Sequence, residues 1–321
     1  MGISRQQALD CFRSDDLIGI GMEAEVVRRR LHPEGVVSYA VEDRIDCTDV
    51  MRDGTCEGNQ LAVASLQSLY DEICQTLDLG STGLRLVGGL GSGSKVCGLE
   101  WSETLLRGIR QHFPSLWIEG LSASGIVALA AGSGLDLRQI ILRLRDAGLD
   151  SIASDDTRPK CSFAEWTAVH RAAHGLGMRT VATMVFAAGE ALEQRVDLLQ
   201  AVRQLQEETG GFTAFIPLAA EDASGRELDA LTAVEQLKAL AIARIFLDNI
   251  ENIQWSGAAQ GLKVLQMGLR FGANDAGSVA PSANGTAAAN SISEEDLRRI
   301  IRDASFQPVQ RDTPYRTMFF Y

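Results

Sequence analysis

The stretch Thr180–Pro217 reads TVATMVFAAGEALEQRVDLLQAVRQLQEETGGFTAFIP. Thr180–Phe186 is a short apolar run of the kind that forms a buried strand, Ala191–Glu208 is an amphipathic helix, and Thr213–Pro217 is a second apolar run beyond a Gly-Gly break. A strand, a helix and a strand in this order make a βαβ unit, whose two strands run parallel. The same alternation extends in both directions. Apolar runs at Arg44–Val50, Leu84–Val87, Leu116–Leu121, Ser151–Ala153, Arg244–Asn249 and Leu269–Ala273 read as further strands. Helical segments are expected at Gln60–Asp78, Ser102–His112, Leu137–Ala147, Phe163–Leu176, Leu228–Ala243 and Ala258–Met267. Eight strands alternating with helices predict an α/β fold, a closed (β/α)8 TIM-type barrel.

Two helices, Ser4–Phe12 and Asp15–Leu31, precede the barrel, and a helix at Ser293–Asp303 with three acidic residues in its first turn follows it. The expected organisation is an N-terminal helical segment over 1–36, a barrel over 37–275, and a C-terminal extension over 276–321 that opens on the Ala-, Ser- and Gly-rich loop Ala276–Asn290. A doubly wound open sheet would want a GxGxxG turn after its first strand, and Met51–Cys56 has none. The Gly-rich stretch Gly88–Gly98 matches neither a Walker A motif nor a dinucleotide fingerprint.

The chain has 321 residues, 42 acidic against 30 basic, and a net charge of −12, a balance that argues against nucleic-acid binding. Its six cysteines are irregularly spaced with no CxxC pair, which reads as reduced thiols and a cytoplasmic location. No apolar stretch is long enough to span a bilayer and no signal peptide is recognisable, so no membrane partner is expected.

Several long runs point to one family. Leu79–Leu90 (LGSTGLRLVGGL), Ala201–Leu218, Ala241–Ile250 (AIARIFLDNI), Gly261–Ser278 and Pro308–Tyr315 (PVQRDTPY) resemble cyclic dehypoxanthinyl futalosine synthase. That family is a radical S-adenosylmethionine cyclase of the futalosine route to menaquinone, akin to aminofutalosine and FO synthases. The resemblance implies a barrel of the radical-SAM kind. It also implies three cysteines spaced CxxxCxxC after the first strand, which hold an iron–sulfur cluster. Here the corresponding positions are Met51, Thr55 and Gly58, with a lone Cys56 nearby, so the expectation is a chain without the cluster. Other positions depart with them: the segment after the fourth strand is only SIASDDTRPK, Thr183–Ala191 keeps Glu190 but loses a Gly-His pair, and an acidic segment is replaced by Pro281–Gly285.

Polar residues at the expected strand ends are the candidate site, because ligands of such barrels bind at the C-terminal mouth. Asp46, Asp49, Cys47, Asp155, Asp156 and Glu190 are the catalytic candidates; Thr48, Gly88, Gly89, Ser122, Thr183, Asn249, Gln254, Asn274 and Asp275 are the ligand-binding candidates. Clustered carboxylates there could supply an acid and a base, or hold a hard cation through oxygen ligands. S-adenosylmethionine is a candidate ligand and a divalent metal is disfavoured: His170 and His174 share a helix face, but lack an HExxH pattern, and Glu165 or Cys161 would be a guessed third ligand. Two functions remain open. One is a repurposed barrel performing non-radical chemistry on a small polar, nucleoside-like ligand; the other is a non-catalytic partner or scaffold for a biosynthetic enzyme. The family's own cyclase activity is a third, less favoured reading.

Overall fold

The computed structural model describes all residues except 1, 48–62, 88–97, 155–160, 220–230, 257–260 and 282–291. Two helices open the chain, α1 (Arg5–Arg13) and α2 (Leu17–Leu31). The alternating part follows as β1 (Val36–Asp46), α3 (Val63–Asp78), β2 (Gly83–Val87), α4 (Leu99–His112), β3 (Trp117–Ser122), α5 (Ala123–Ser133), α6 (Leu137–Ala147), β4 (Ser151–Ala153), α7 (Phe163–Gly175) and β5 (Thr180–Phe186). It continues through α8 (Leu192–Thr209), β6 (Phe212–Ala219), α9 (Ala233–Phe246), β7 (Asn252–Ile253), α10 (Leu262–Arg270) and β8 (Asp275–Val279). The chain ends in α11 (Glu294–Asp303), β9 (Gln307–Arg311) and β10 (Thr317–Phe320). This is a mixed α/β fold of the TIM-barrel kind, with parallel ladders joining β1 to β2, β2 to β3, β3 to β4 and β6 to β7.

Capping residues set many helix starts. Ser4, Asp136, Ser162 and Thr232 each form a capping box with the Gln or Glu three residues on, which satisfies amide groups the first turn leaves unpaired. No single helix among the described residues is long and apolar enough to cross a membrane.

The chain divides into two compact units: one of Met1–Ala40, Val181–Val279 and Gly285–Tyr321, the other of Val41–Thr180 with Ala280–Asn284. In the first unit, the opening half of β1 pairs in parallel with β9, Val36 opposite Gln307 through Ala40 opposite Arg311. Ser38 N–H also donates to Asn274 O at 3.0 Å, on the approach to β8. A buried carboxylate joins these elements. Asp275, fully buried, accepts from Arg311 Nε at 2.5 Å and Nη2 at 3.0 Å, from Ser38 Oγ at 2.6 Å and from the Gly277 amide at 2.9 Å. Asn274 is equally engaged: its Oδ1 accepts from Arg244 Nη2 at 2.6 Å and Ile253 N at 2.8 Å, while its Nδ2 donates to Asn252 Oδ1 at 2.9 Å.

Two expected strands are displaced. The run Arg244–Asn249 is the end of α9 and the turn after it, with β7 beginning only at Asn252. Leu269–Ala273 closes α10, and β8 begins at Asp275. Asn249, Asn274 and Asp275 therefore precede or open their strands instead of following them. That is the stabilising end of such a fold, opposite the ligand-binding mouth. The helix α5, entered directly from β3, and the strands β9 and β10 were not anticipated.

The four hydrogen bonds on Asp275 yield an expected outcome. Asp275→Asn or Arg311→Met strands the remaining partner in a dry site and lowers unfolding stability by about 3–5 kcal/mol. In urea titrations the double variant Asp275→Asn/Arg311→Met costs clearly less than the two single losses added, because both disrupt the same pair.

Candidate functional site

In a parallel ladder, register partners project to the same face of the sheet. In the second unit Arg44 of β1 stands opposite Arg85 of β2, Arg85 opposite Glu119 of β3, and Glu119 opposite Ser151 of β4. One row across four strands is thus wholly polar. The row before it pairs Glu42 with Gly83 and Gly83 with Trp117; the one after it places Asp46 opposite Val87. The other face carries Ile45, Leu84, Leu86, Ile118 and Ile152, all buried. Barrel interiors are ordinarily filled with branched apolar side chains, so charge at these positions marks a place where a polar ligand can be met.

The electrostatics of the row are specific. Arg85 Nε lies 3.0 Å from Glu119 Oε1, and Glu119 is nearly enclosed while Arg85 keeps about a third of its side chain open. Burial raises the Glu119 carboxyl above the ordinary carboxylate range; Arg85 works against this shift and the neighbouring Glu42 adds to it. The Ser154 amide also hydrogen-bonds Glu119 and favours its charged form. A carboxyl held by an arginine yet reluctant to ionise is suited to holding or giving a proton.

The residues expected from the sequence fall into three groups. Asp46 lies exposed at the end of β1, on the same face as Glu42 and Arg44. Cys47 is on the other side, fully buried; burial, with Asp46 and Glu72 nearby, pushes its thiol up to about 12, which disfavours the thiolate. Ser122 caps α5 by accepting from the Gly125 amide at 3.3 Å. It follows Leu121, whose φ of 52° bends the chain at the end of β3. Thr183 Oγ1 on β5 is buried without a hydrogen-bond partner among the described residues. Glu190 pairs with Arg195 at 3.4 Å and accepts from the Ala187 amide at 3.4 Å, closing the turn after β5. Gln254 directly follows β7 but is bridged in parallel to Asp275, level with the start of β8, and its Oε1 accepts from Tyr315 Oη at 3.0 Å.

Asn249 donates from Nδ2 to Arg203 O at 3.0 Å in the turn before β7, and Asn274 and Asp275 spend their polar atoms on the framework described above. These three are corrected from mouth residues to structural ones, because the strands they were expected to follow begin later. Thr48, Asp49, Gly88, Gly89, Asp155, Asp156, Met51, Thr55 and Gly58 lie outside the described residues. The residues missed in the sequence are Glu42, Arg44, Arg85 and Glu119. Their signal was present: a charged residue inside the apolar runs LRL and WIEG, and charges at Glu42, Arg44 and Asp46 two apart in VEDRID.

His170 Nδ1 and His174 Nε2 both hydrogen-bond Thr180 Oγ1, at 2.9 and 2.8 Å. Trp166 packs on the His170 ring, with centroids 4.2 Å apart. Glu165 is engaged in the capping box with Ser162, and Ser124 Oγ donates to Cys161 Sγ at 3.4 Å. No group of three His, Cys, Asp or Glu side chains that could hold a metal converges among the described residues.

Comparison with known proteins places this geometry. Residues 209–319 match the CofH/MqnC C-terminal region. The cyclic dehypoxanthine futalosine synthase of Streptomyces coelicolor is 31% identical over 98% of this chain and 85% of its own length. The chain belongs to the futalosine synthase family of radical S-adenosylmethionine enzymes. The family's reach is broad: a 5-amino-6-(D-ribitylamino)uracil–L-tyrosine 4-hydroxyphenyl transferase of Methanococcoides burtonii is 31% identical over 88% of this chain and 87% of its own length. Among solved structures, methylornithine synthase (PylB) shares the fold at a TM-score of 0.63 and 15% identity, covering 95% of this chain and 93% of its own. These relatives act on small molecules.

The expectation of a chain without an iron–sulfur cluster is overturned by this membership: relatives at 30% identity are radical S-adenosylmethionine enzymes that use such a cluster. The positions that align with the cluster motif, Met51, Thr55 and Gly58, fall within 48–62, outside the described residues.

The histidine pair produces a pH dependence with a definite sign. Burial pulls His170 down to about 3 and His174 to about 4, with the His174 charge and the Arg179 charge as the respective lesser causes. The unfolded chain therefore binds protons that the folded chain refuses, and stability is complete above the ordinary value of 6.5 and is lost as pH falls from there towards 4 and then 3. The urea midpoint is expected to fall over this window in the native chain and to fall less steeply in His170→Asn/His174→Asn. Equal slopes would contradict the assignment.

Proposed function

We propose that the chain is a biosynthetic enzyme that binds a small polar, nucleoside-like molecule along the charged face of β1, β2 and β3, with S-adenosylmethionine as the candidate ligand. The observation that carries this reading is the Arg44–Arg85–Glu119 row, three charged side chains in register across neighbouring strands whose other face is apolar except for Asp43 of β1. Arg44 and Arg85 offer donors to a carboxylate or phosphate. Glu119, whose carboxyl burial raises above its usual range, is placed to exchange a proton with a ligand on this face. Asp46, at the exposed end of β1, adds a second carboxylate to the same face.

The reading is one of polar chemistry: anion binding, proton transfer and group transfer. It draws in Thr48, Asp49, Gly88, Gly89, Asp155 and Asp156 by their place in the sequence after β1, β2 and β4, and Ser122 by its place at the end of β3. The departures from the family pattern at Thr183–Ala191 and Pro281–Gly285 support a substrate other than that of the futalosine synthases. The irregularly spaced cysteines, with no CxxC pair among them, support a cytoplasmic setting.

Thermal shift and calorimetry with S-adenosylmethionine, S-adenosylhomocysteine and adenosine test the proposal. A preparation reconstituted anaerobically, with iron and sulfide measured, makes the cofactor state known in each titration. At least one ligand is expected to raise the melting temperature, a ligand at 100 times its Kd adding about 2.7 kcal/mol. Arg85→Met and Glu119→Gln are each expected to weaken that ligand at least about tenfold, near 1.4 kcal/mol. Binding unchanged in both variants, or no response to any of the three ligands, would overturn the reading.

A further inference from the structure

The helix α2 buries one face and exposes another. Ile20, Gly21, Ala24 and Arg28 are buried, with Gly21 set so closely on Phe271 that a Cβ there would meet its Cε1 at 2.7 Å. On the outward side, Ile18 is 64% exposed, Met22 67% and Val26 62%. Spaced by four residues each, these three form one continuous ridge along the helix. The ridge borders a groove of about 310 Å3 whose far wall is Arg270 and Phe271. Large apolar side chains exposed singly are ordinary, but three in a row beside an apolar groove form a contiguous patch of the kind that marks an interaction surface.

The charges around the ridge indicate what covers it. Asp15 and Asp16 stand at the start of α2, and Arg28, Arg29 and Arg30 at its end. Rotation by 180° about an axis through Met22 exchanges Ile18 with Val26 and Asp15 with Arg29, each pair being equally distant from Met22 along the chain. The face is thus complementary to itself in an antiparallel arrangement: ridge against ridge, acidic end against basic end. Arg29 remains 67% exposed on its side chain while paired with Glu25 at 2.9 Å, so its other donors stay open to a second carboxylate. A heterologous partner would need no such symmetry, whereas a two-fold contact requires that one patch complement its own copy.

We infer that α2 is a homodimer contact, in which the Ile18–Met22–Val26 ridge of one chain packs antiparallel on that of a second copy and the Phe271 groove receives the partner's ridge side chains. A single helix pair with its rim falls near or below the ~1,200 Å² of buried surface at the lower edge of stable interfaces. The dimer is therefore concentration-dependent and forms at micromolar levels or above. The charged ends steer the register and make association weaken with added salt.

Sedimentation velocity on the full chain, from low micromolar to several hundred micromolar, is the test. The mass is expected to rise towards two copies in the native chain. Met22→Glu places two carboxylates together at the axis and is expected to weaken the dimer at least about tenfold. Because Met22 is exposed, the melting temperature of the dilute monomer should not change, which separates lost association from lost folding. In a Cys74→Ser background, which removes the exposed thiol among the described residues, Met22→Cys is expected to form an oxidative cross-link between copies beyond that of the background itself, and Val234→Cys, exposed elsewhere on α9, is not. A native chain that stays monomeric throughout, a dimer indifferent to Met22→Glu, or equal cross-linking at Val234→Cys would overturn the inference.

Discussion

The buried pairing of Asp275 with Arg311 is the constraint on which one half of the molecule depends. Asp275 sits at the first residue of β8, and its hydrogen bonds reach β1 through Ser38 and β9 through Arg311. A carboxylate that is fully buried is tolerated only when its lone pairs are satisfied by strong donors, and four donors meet this one. The neighbouring Asn274 repeats the device through Arg244, whose guanidinium also donates to Gly272 O, Ile250 O and Glu251 O. Such networks supply geometry more than net stability: they fix which residue starts β8 and how β7 meets it, at a point where the strands are too short for their ladders to do so.

A second polar arrangement serves another end. The Arg44–Arg85–Glu119 row is polar like the Asp275 network, but it is incompletely enclosed: Arg85 retains about a third of its exposure and Arg44 is exposed, while Glu119 is held above its ordinary range by burial. Enclosed networks hold a fold together; solvent-reachable ones with a shifted proton equilibrium meet ligands. The contrast separates Asp275 and Asn274, which looked from the sequence like mouth carboxylate and amide, from Glu119, which did not draw notice there.

The helices and most strands were legible because their signals are local. The helices expected at Ser4–Phe12 and Ser293–Asp303 begin where Ser4 and Ser293 cap them, and β2, β4 and β5 occupy the runs where apolar residues cluster. The strands β7 and β8 were not legible. AIARIFLDNI is apolar enough to read as a strand, yet α9 extends through Phe246 because Arg244 finds buried carbonyl partners at its end. DAGSV, the true β8, has little apolar content of its own and is buried through the long-range partnership of Asp275 with Arg311. The candidate site was obscured for a related reason. Attention to apolar runs hides a charged residue at every second position, and only the register between strands brings Arg44, Arg85 and Glu119 into one row. The motif comparison at Met51, Thr55 and Gly58 carried the cofactor expectation too far, since family membership points to a cluster.

A crystal structure of the anaerobically reconstituted protein with S-adenosylmethionine is the most direct measure of the central claim. The result expected is ligand density along the face of Glu42, Arg44, Arg85 and Glu119, with an anionic group of the ligand against an arginine. Density placed wholly elsewhere, with that row unchanged and filled by water, would contradict it.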